Sequence, residues 1–162
     1  MAFVKKLTPE QAFQKARHYC GYQERCHAEV KEKLYSFGLW KNDVEILLSR
    51  LIEENYLNEE RFAQQFAGGK FRMKQWGRVK IKHELKQKQV SEYCIKKAMK
   101  EIDEEEYMKV LRKLATQKWK SVKLPGVNRF TKLGKTTAYL LQKGYESELV
   151  RGVLLDIERD SS

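Results

Sequence analysis

Asn55–Val90 reads NYLNEERFAQQFAGGKFRMKQWGRVKIKHELKQKQV. It opens on paired glutamates and closes in a dense run of lysine and arginine. Its second half has an echo on each side. Glu84-Leu85-Lys86 leads to Lys88-Gln89-Val90, as Glu32-Lys33-Leu34 leads to Phe37-Gly38-Leu39 and Tyr139-Leu140-Leu141 to Lys143-Gly144-Tyr145. Aligned on Leu34, Leu85 and Leu140, the echoes recur after 51 and 55 residues. A period of that size marks a chain built from repeated supersecondary units.

The repeats read as helices. Thr8-Pro9-Glu10-Gln11 is a helix start with a capping residue, a proline at the first position and a capping-box glutamine. Ala12, Phe13 and Ala16 carry the first apolar stripe, which Gly21 ends. Cys26 to Phe37 is read as a second helix, burying Val30, Leu34 and Phe37, with Gly38 placed for a left-handed cap. Asn42 is read as the cap of a third, whose inner face is Val44, Leu47, Leu48, Leu51 and Ile52. Asn58 opens the fourth, with Glu59 and Glu60 at its positive end. Gly68-Gly69 is expected to loosen it, and Trp76-Gly77 to turn the chain into a fifth helix, Arg78–Lys88. Ser91 caps the sixth, and Asp103 with Glu104, Glu105 and Glu106 starts the seventh. A loop over Lys120–Lys132 holds Pro125-Gly126; an eighth helix ends at Gly144; Ser147 is read as capping a ninth, with Asp156–Ser162 frayed. The reading is all-α: nine helices in three tandem three-helix repeats, 1–57, 58–102 and 103–162. Units of that size are marginal alone and are expected to lean on one another in an elongated array.

Composition narrows the function. The longest stretch free of Asp, Glu, Lys and Arg is Phe62–Gly69, eight residues against the roughly 20 that span a bilayer. Met1–Gln11 lacks an apolar run behind its lysines, so a soluble, cytoplasmic protein is expected. Three cysteines argue against a disulfide scaffold. The net charge of +11 is concentrated: residues 70–100 carry 11 Lys/Arg against two Glu, and residues 118–135 carry six against no acid. Such focusing implies an anionic partner at a defined surface.

YLNEERFAQQFA, then Gly77-Arg78, then KIKHELKQKQVS resembles the RecX family of regulatory proteins, modulators of the RecA recombinase. The matching positions are Tyr56-Leu57, Glu59-Glu60, Arg61-Phe62-Ala63, Gly77, Glu84-Leu85 and Lys88-Gln89-Val90. Gln89 stands where the family carries glycine, so the fifth helix is expected to end without a left-handed cap. The pair Glu59-Glu60 follows Asn58 where the family more often has aspartate. The resemblance implies a curved array of three-helix units that binds RecA filaments on single-stranded DNA. It further implies suppression of strand exchange, ATPase and coprotease activity, and through them of DNA repair and the SOS response.

Within the basic middle, Arg78, Lys82 and Lys86 fall four apart and share one helical stripe. Lys80 and Lys88 lie on other faces, and Arg72 and Lys74 just precede. A merely solvated face would alternate signs, yet Glu84 is the one acid between Arg72 and Lys88. Lys118, Lys120, Lys123, Arg129 and Lys132 form a second cluster, with Trp119 and Phe130 interleaved. Trp119 either stacks a base or seals the end of the seventh helix. Tyr56, Phe62 and Phe66 read as core, and Arg61 with Glu59 or Glu60 as bridges between elements. His18, Cys20, Cys26 and His27 match no zinc spacing, and Cys94 is a small core residue. His83 and Glu84 point to different helix faces, and no phosphate loop or nucleophile motif is found. No cofactor, metal or enzymatic activity is expected.

The partners expected are thus the RecA nucleoprotein filament and, weakly, single- or double-stranded DNA phosphates, with the protein a monomer. The rival reading is a stand-alone helix-turn-helix-like DNA-binding protein. Against it, the third helix is acidic at Asp43, Glu45, Glu53 and Glu54, and the ninth at Glu146 and Glu148, so the third helices form no consistent basic set.

Overall fold

A computed structural model describes residues 6–123 and 128–161. Among them are nine α-helices and no strand: α1 (Pro9–Tyr22), α2 (His27–Ser36), α3 (Lys41–Glu53), α4 (Glu59–Gly69), α5 (Arg78–Gln87), α6 (Glu92–Lys100), α7 (Glu104–Ser121), α8 (Arg129–Lys143) and α9 (Ser147–Ser161). The all-α, three-helix-repeat reading holds. No helix among the described residues is long and apolar enough to cross a membrane.

Local chemistry explains most boundaries. Thr8 closes the capping box on α1: its Oγ1 accepts from the Gln11 N–H at 3.2 Å, and Gln11 Oε1 accepts from the Thr8 N–H at 3.1 Å. Asn58, Ser91 and Asp103 cap α4, α6 and α7 by accepting from Arg61, Cys94 and Glu106 N–H groups. Two expected caps fail. α3 begins at Lys41, with Trp40 rather than Asn42 before it, and Ser147 is the first residue inside α9. The loop read over Lys120–Lys132 is shorter, because α7 continues to Ser121 and Asn128 caps α8 at the Thr131 N–H. Pro125-Gly126 lies outside the described residues. Ser161 is still helical, so the expected fraying from Asp156 is not found.

The repeat is most visible where α2, α5 and α8 end. Gly38, Gln89 and Gly144 hold equivalent positions and all take positive φ, at 83°, 62° and 100°. The next N–H reaches back five residues, Val90 to Leu85 O at 3.1 Å and Tyr145 to Leu140 O at 3.2 Å. This is the Schellman closure, sealed by burying the apolar residue after the turn; Leu39, Val90 and Tyr145 are all buried. Gln89 therefore corrects the expectation of a helix end without a left-handed cap: the buried Leu85 and Val90 hold the turn at a steric cost glycine would avoid.

Gly68-Gly69 loosens α4 as expected: the α-helix ends at Gly69. The chain runs on into a π turn, Lys70–Lys74, closed by Gln75 at φ 57°.

The chain divides into two compact units, Met1–Phe66 with Leu85–Ala98, and Ala67–Glu84 with Met99–Ser162. In the first, α1, α2 and α3 pack together on Phe13, Leu34, Leu51 and Leu57. Ile52, expected inside, is exposed. Arg61 bridges elements as expected, its Nε donating to Glu24 at 2.5 Å, while Glu59 accepts from the Ser91 N–H and Glu60 from Lys97. Phe62 and Phe66 stack at 5.8 Å, and Cys94 is buried. Burial pushes the Cys20 and Cys26 thiols up to about 11. In the second unit α7, α8 and α9 pack on one another, with Leu111, Leu140 and Leu154 at the centre.

Candidate anion-binding surface

In the second unit the start of α5 is fastened before any lysine is displayed. The first N–H groups of a helix have no partner within it, and here three successive ones find partners elsewhere. Gly77 N–H donates to Lys143 O at 2.8 Å, Arg78 N–H to Tyr107 Oη at 3.0 Å and Val79 N–H to Gly144 O at 2.9 Å. The two acceptor carbonyls are themselves the orphans at the end of α8. The backbones meet so closely that a Cβ on Gly77 would lie 2.3 Å from the Gly144 carbonyl carbon and oxygen.

Arg78 belongs to this joint. Its Nε donates to Glu146 at 2.8 Å, its Nη1 to Glu104 at 2.8 Å, and its guanidinium lies 3.9 Å from the Tyr107 ring centroid. Tyr107 Oη in turn donates to Glu146. Burial pushes Arg78 down, but the bond to Glu104 and the charge of Glu146 outweigh it and hold the guanidinium above its ordinary value. With its side chain only 18% exposed, Arg78 is a structural cation and leaves the stripe expected on α5.

Lys82, on the same helix, is exposed and forms no ion pair within 4 Å among the described residues. Arg72 and Lys74 stand exposed on the π turn, and Lys80 lies over the half-buried Trp76 at 4.4 Å. On α7 and beyond, Lys120 and Lys123 are exposed, Lys118 covers Tyr139 at 5.1 Å and Lys132 covers Trp119 at 4.8 Å. Trp119 itself is 8% exposed and packed in the α7 core stripe, so it offers no face to a base. The exposed aromatic of this stretch is Phe130, at 85%. Arg129 is held bidentately by Glu158 at 2.6 and 3.1 Å, which keeps the carboxyl below and the guanidinium above their usual values.

In the first unit, Lys86 is exposed beside Glu92 at 3.8 Å, a separation that binds little in water. Lys88 is half-buried, 3.5 Å from Glu29 and over Phe66 at 5.8 Å.

Of the twelve cations expected at the surface, the two engaged by more than one carboxylate contact are arginines, and those left in water are mostly lysines. Lysine is a hydrated point charge suited to phosphates or carboxylates rather than base edges. The reading also missed cations. Lys109, Arg112 and Lys113 are exposed on α7, and Lys135 on α8. Their three- and four-residue spacing was a usable signal, hidden by attention to the densest runs. Among the described residues no group of His, Cys, Asp and Glu has metal-binding geometry.

Comparison with known proteins gives the arrangement a context. The family model for the second three-helix domain of RecX matches residues 58–99, and that for the third matches residues 104–154. A "Regulatory protein RecX" from Clostridium tetani is 31% identical over 126 residues, covering 78% of this chain and 57% of the relative. One from Lactobacillus gasseri is 33% identical over 92% of this chain and 55% of the relative. A shorter one, from Prosthecochloris aestuarii, is 29% identical and is covered to 91%. The chain thus spans little more than half the length of the first two. The crystal structure of RecX from Lactobacillus salivarius superposes with a TM-score of 0.83 at 19% identity, over 93% of this chain and 96% of that one.

Proposed function

We propose, since this chain belongs to the RecX family of regulatory proteins, that it binds RecA filaments assembled on single-stranded DNA and lowers their recombinase, ATPase and coprotease activity. On this reading it restrains homologous recombination and the SOS response from the cytoplasm, as a monomer, with repeats over 1–57, 58–102 and 103–162. The reading assigns it no catalytic step and no cofactor.

The observation that carries the proposal is the contrast within residues 70–100. That stretch holds eleven cations and two acids, and Arg78, the deepest cation of α5, is turned inward. The cations that α5 leaves exposed are Lys82 and Lys86, which no structural role requires. The contact set proposed is Arg72, Lys74, Lys80, Lys82, Lys86 and Lys88, joined by Lys118, Lys120, Lys123 and Lys132. Mobile ammonium groups attract an anionic lattice over several ångströms and tolerate changes in its sequence. That suits a filament whose DNA varies and whose protein surface repeats.

The test is single-stranded-DNA-dependent ATP hydrolysis by the cognate RecA, beside an anisotropy titration on the same DNA without RecA. Inhibition is expected at protein concentrations too low to occupy the bare DNA. Lys82→Glu/Lys86→Glu should weaken inhibition and flatten its dependence on log salt by about 1 to 2. Inhibition that merely follows DNA occupancy would transfer the surface to DNA itself, making this a stand-alone DNA-binding protein.

A further inference from the structure

The first unit carries a second cationic feature, built from residues not assigned above and sharing the Glu29 carboxylate with Lys88. Between α1, the turn after it and α2 lies a groove of about 580 Å³, whose lining includes Lys15, Arg25 and Lys33 and no carboxylate. Its floor is aromatic. The Lys15 and Lys33 ammonium groups both gather at the Phe37 ring, 6.0 and 5.8 Å from its centroid, and Lys33 also lies 5.3 Å from the Tyr19 centroid. Arg25 has a structural task. Its guanidinium covers Tyr19 at 3.8 Å, donates to the Tyr19 carbonyl at 3.2 Å and sits 3.9 Å from Glu29. At the mouth stands Tyr22, 79% exposed, an aromatic side chain left in water at the last residue of α1.

We infer that this groove binds a short segment of single-stranded nucleic acid, with a base stacked on Tyr22 and the flanking phosphates on Lys15 and Lys33. Charge and geometry select this occupant over an extended acidic peptide. The walls are helices whose backbone groups are bonded within themselves, so the groove offers no strand edge. A peptide laid along it would bury N–H and C=O groups without partners. A nucleotide strand has no such requirement: its charge meets the lysines, and every base has a π-face for an exposed ring. The site lies within residues 14–37, outside both stretches matched by the family models, and stands whether or not the central lysines contact RecA.

The experiment uses the full chain and an oligothymidylate containing one 5-iododeoxyuridine, irradiated and mapped by peptide mass spectrometry. Cross-linking is expected at Tyr22. Tyr22→Ala should reduce the yield about tenfold, in line with loss of one base stack, and Tyr22→Phe should retain it. Lys15→Glu/Lys33→Glu should abolish it above about 100 mM salt, where condensed-counterion release no longer favours the complex. Lys82→Glu/Lys86→Glu should weaken filament inhibition while Tyr22 remains the residue at which the cross-link maps, so failure of this site and failure of the filament reading are separable. All five positions are exposed, and unaltered melting curves will confirm that the variants fold. Cross-links confined to residues outside 14–37 would overturn the inference. So would polyglutamate displacing the oligonucleotide at lower charge concentration, which would give the groove to an acidic protein.

Discussion

Arg78 and Lys82 are one turn apart on α5 and equal in charge, yet one is a strut and the other a solvent-facing contact. Arg78 spends its donors on Glu146 and Glu104 and its planar face on Tyr107. Lys82 meets no carboxylate within 4 Å among the described residues. What separates them is the set of partners brought up from 26 and 68 residues away. A basic run in sequence is thus a mixture of cations that build the fold and cations the fold presents. Charge density does not sort them; the location of the opposing carboxylates does.

The sharpest way to break the comparison is at the joint itself. Gly77→Ala puts a methyl 2.3 Å from the Gly144 carbonyl, against backbone on both sides. Neither chain can yield without losing the bonds from Gly77 and Val79. A destabilisation of about 3 kcal/mol or more is expected in urea melts, at the upper end for overpacking. A variant that melts like the wild type would mean that α5 is not fixed by α8, and that Arg78 has no rigid frame to serve.

Arg78→Ala comes next. It leaves the Glu146 carboxylate, two-thirds buried, without its cation and bares the Tyr107 ring. Removing one partner of a mostly buried pair exceeds the value of the pair, so a loss of about 2 kcal/mol or more is expected. Glu104, 63% exposed, adds little. Lys82→Ala, measured beside it, should fall within about 0.5 kcal/mol. Equal losses would erase the distinction between strut and contact.

Much of this fold was legible because its signals are local. The capping box at Thr8, the glycines at 38 and 144 and the apolar stripes of α1, α2 and α7 are each decided within a few residues. The misses are tertiary. Gln89 adopts a left-handed turn because Leu85 and Val90 are buried around it, which the pattern at one position does not reveal. Trp119 admits two readings in sequence because a tryptophan among lysines has the same spelling whether core or surface; burial decides for the core. The groove at Tyr22 escaped because its two lysines lie 18 residues apart, on different helices, and form no run.

The finest probe of the strut is pH. Burial, with the bond to Glu146 second, holds the Tyr107 phenol well above its ordinary value, and burial does the same for Tyr145, whose hydroxyl donates to Gln75 O at 2.9 Å. A raised folded-state value means the native chain keeps protons that the unfolded chain releases. Stability from these groups is therefore fully present below the unfolded tyrosine value near 10 and is lost as pH rises above it. Each phenol should contribute a slope of about 1.4 kcal/mol per pH unit in that window. Tyr145→Phe removes one slope and leaves Tyr107 untouched. Tyr107→Phe removes the other, but also takes the acceptor from the Arg78 N–H, so it starts from a lower plateau at neutral pH. If the two variants lose the same slope and differ in plateau, the Tyr107 hydroxyl is part of the strut. If their plateaus coincide, the joint rests on Gly77 and the carboxylates alone.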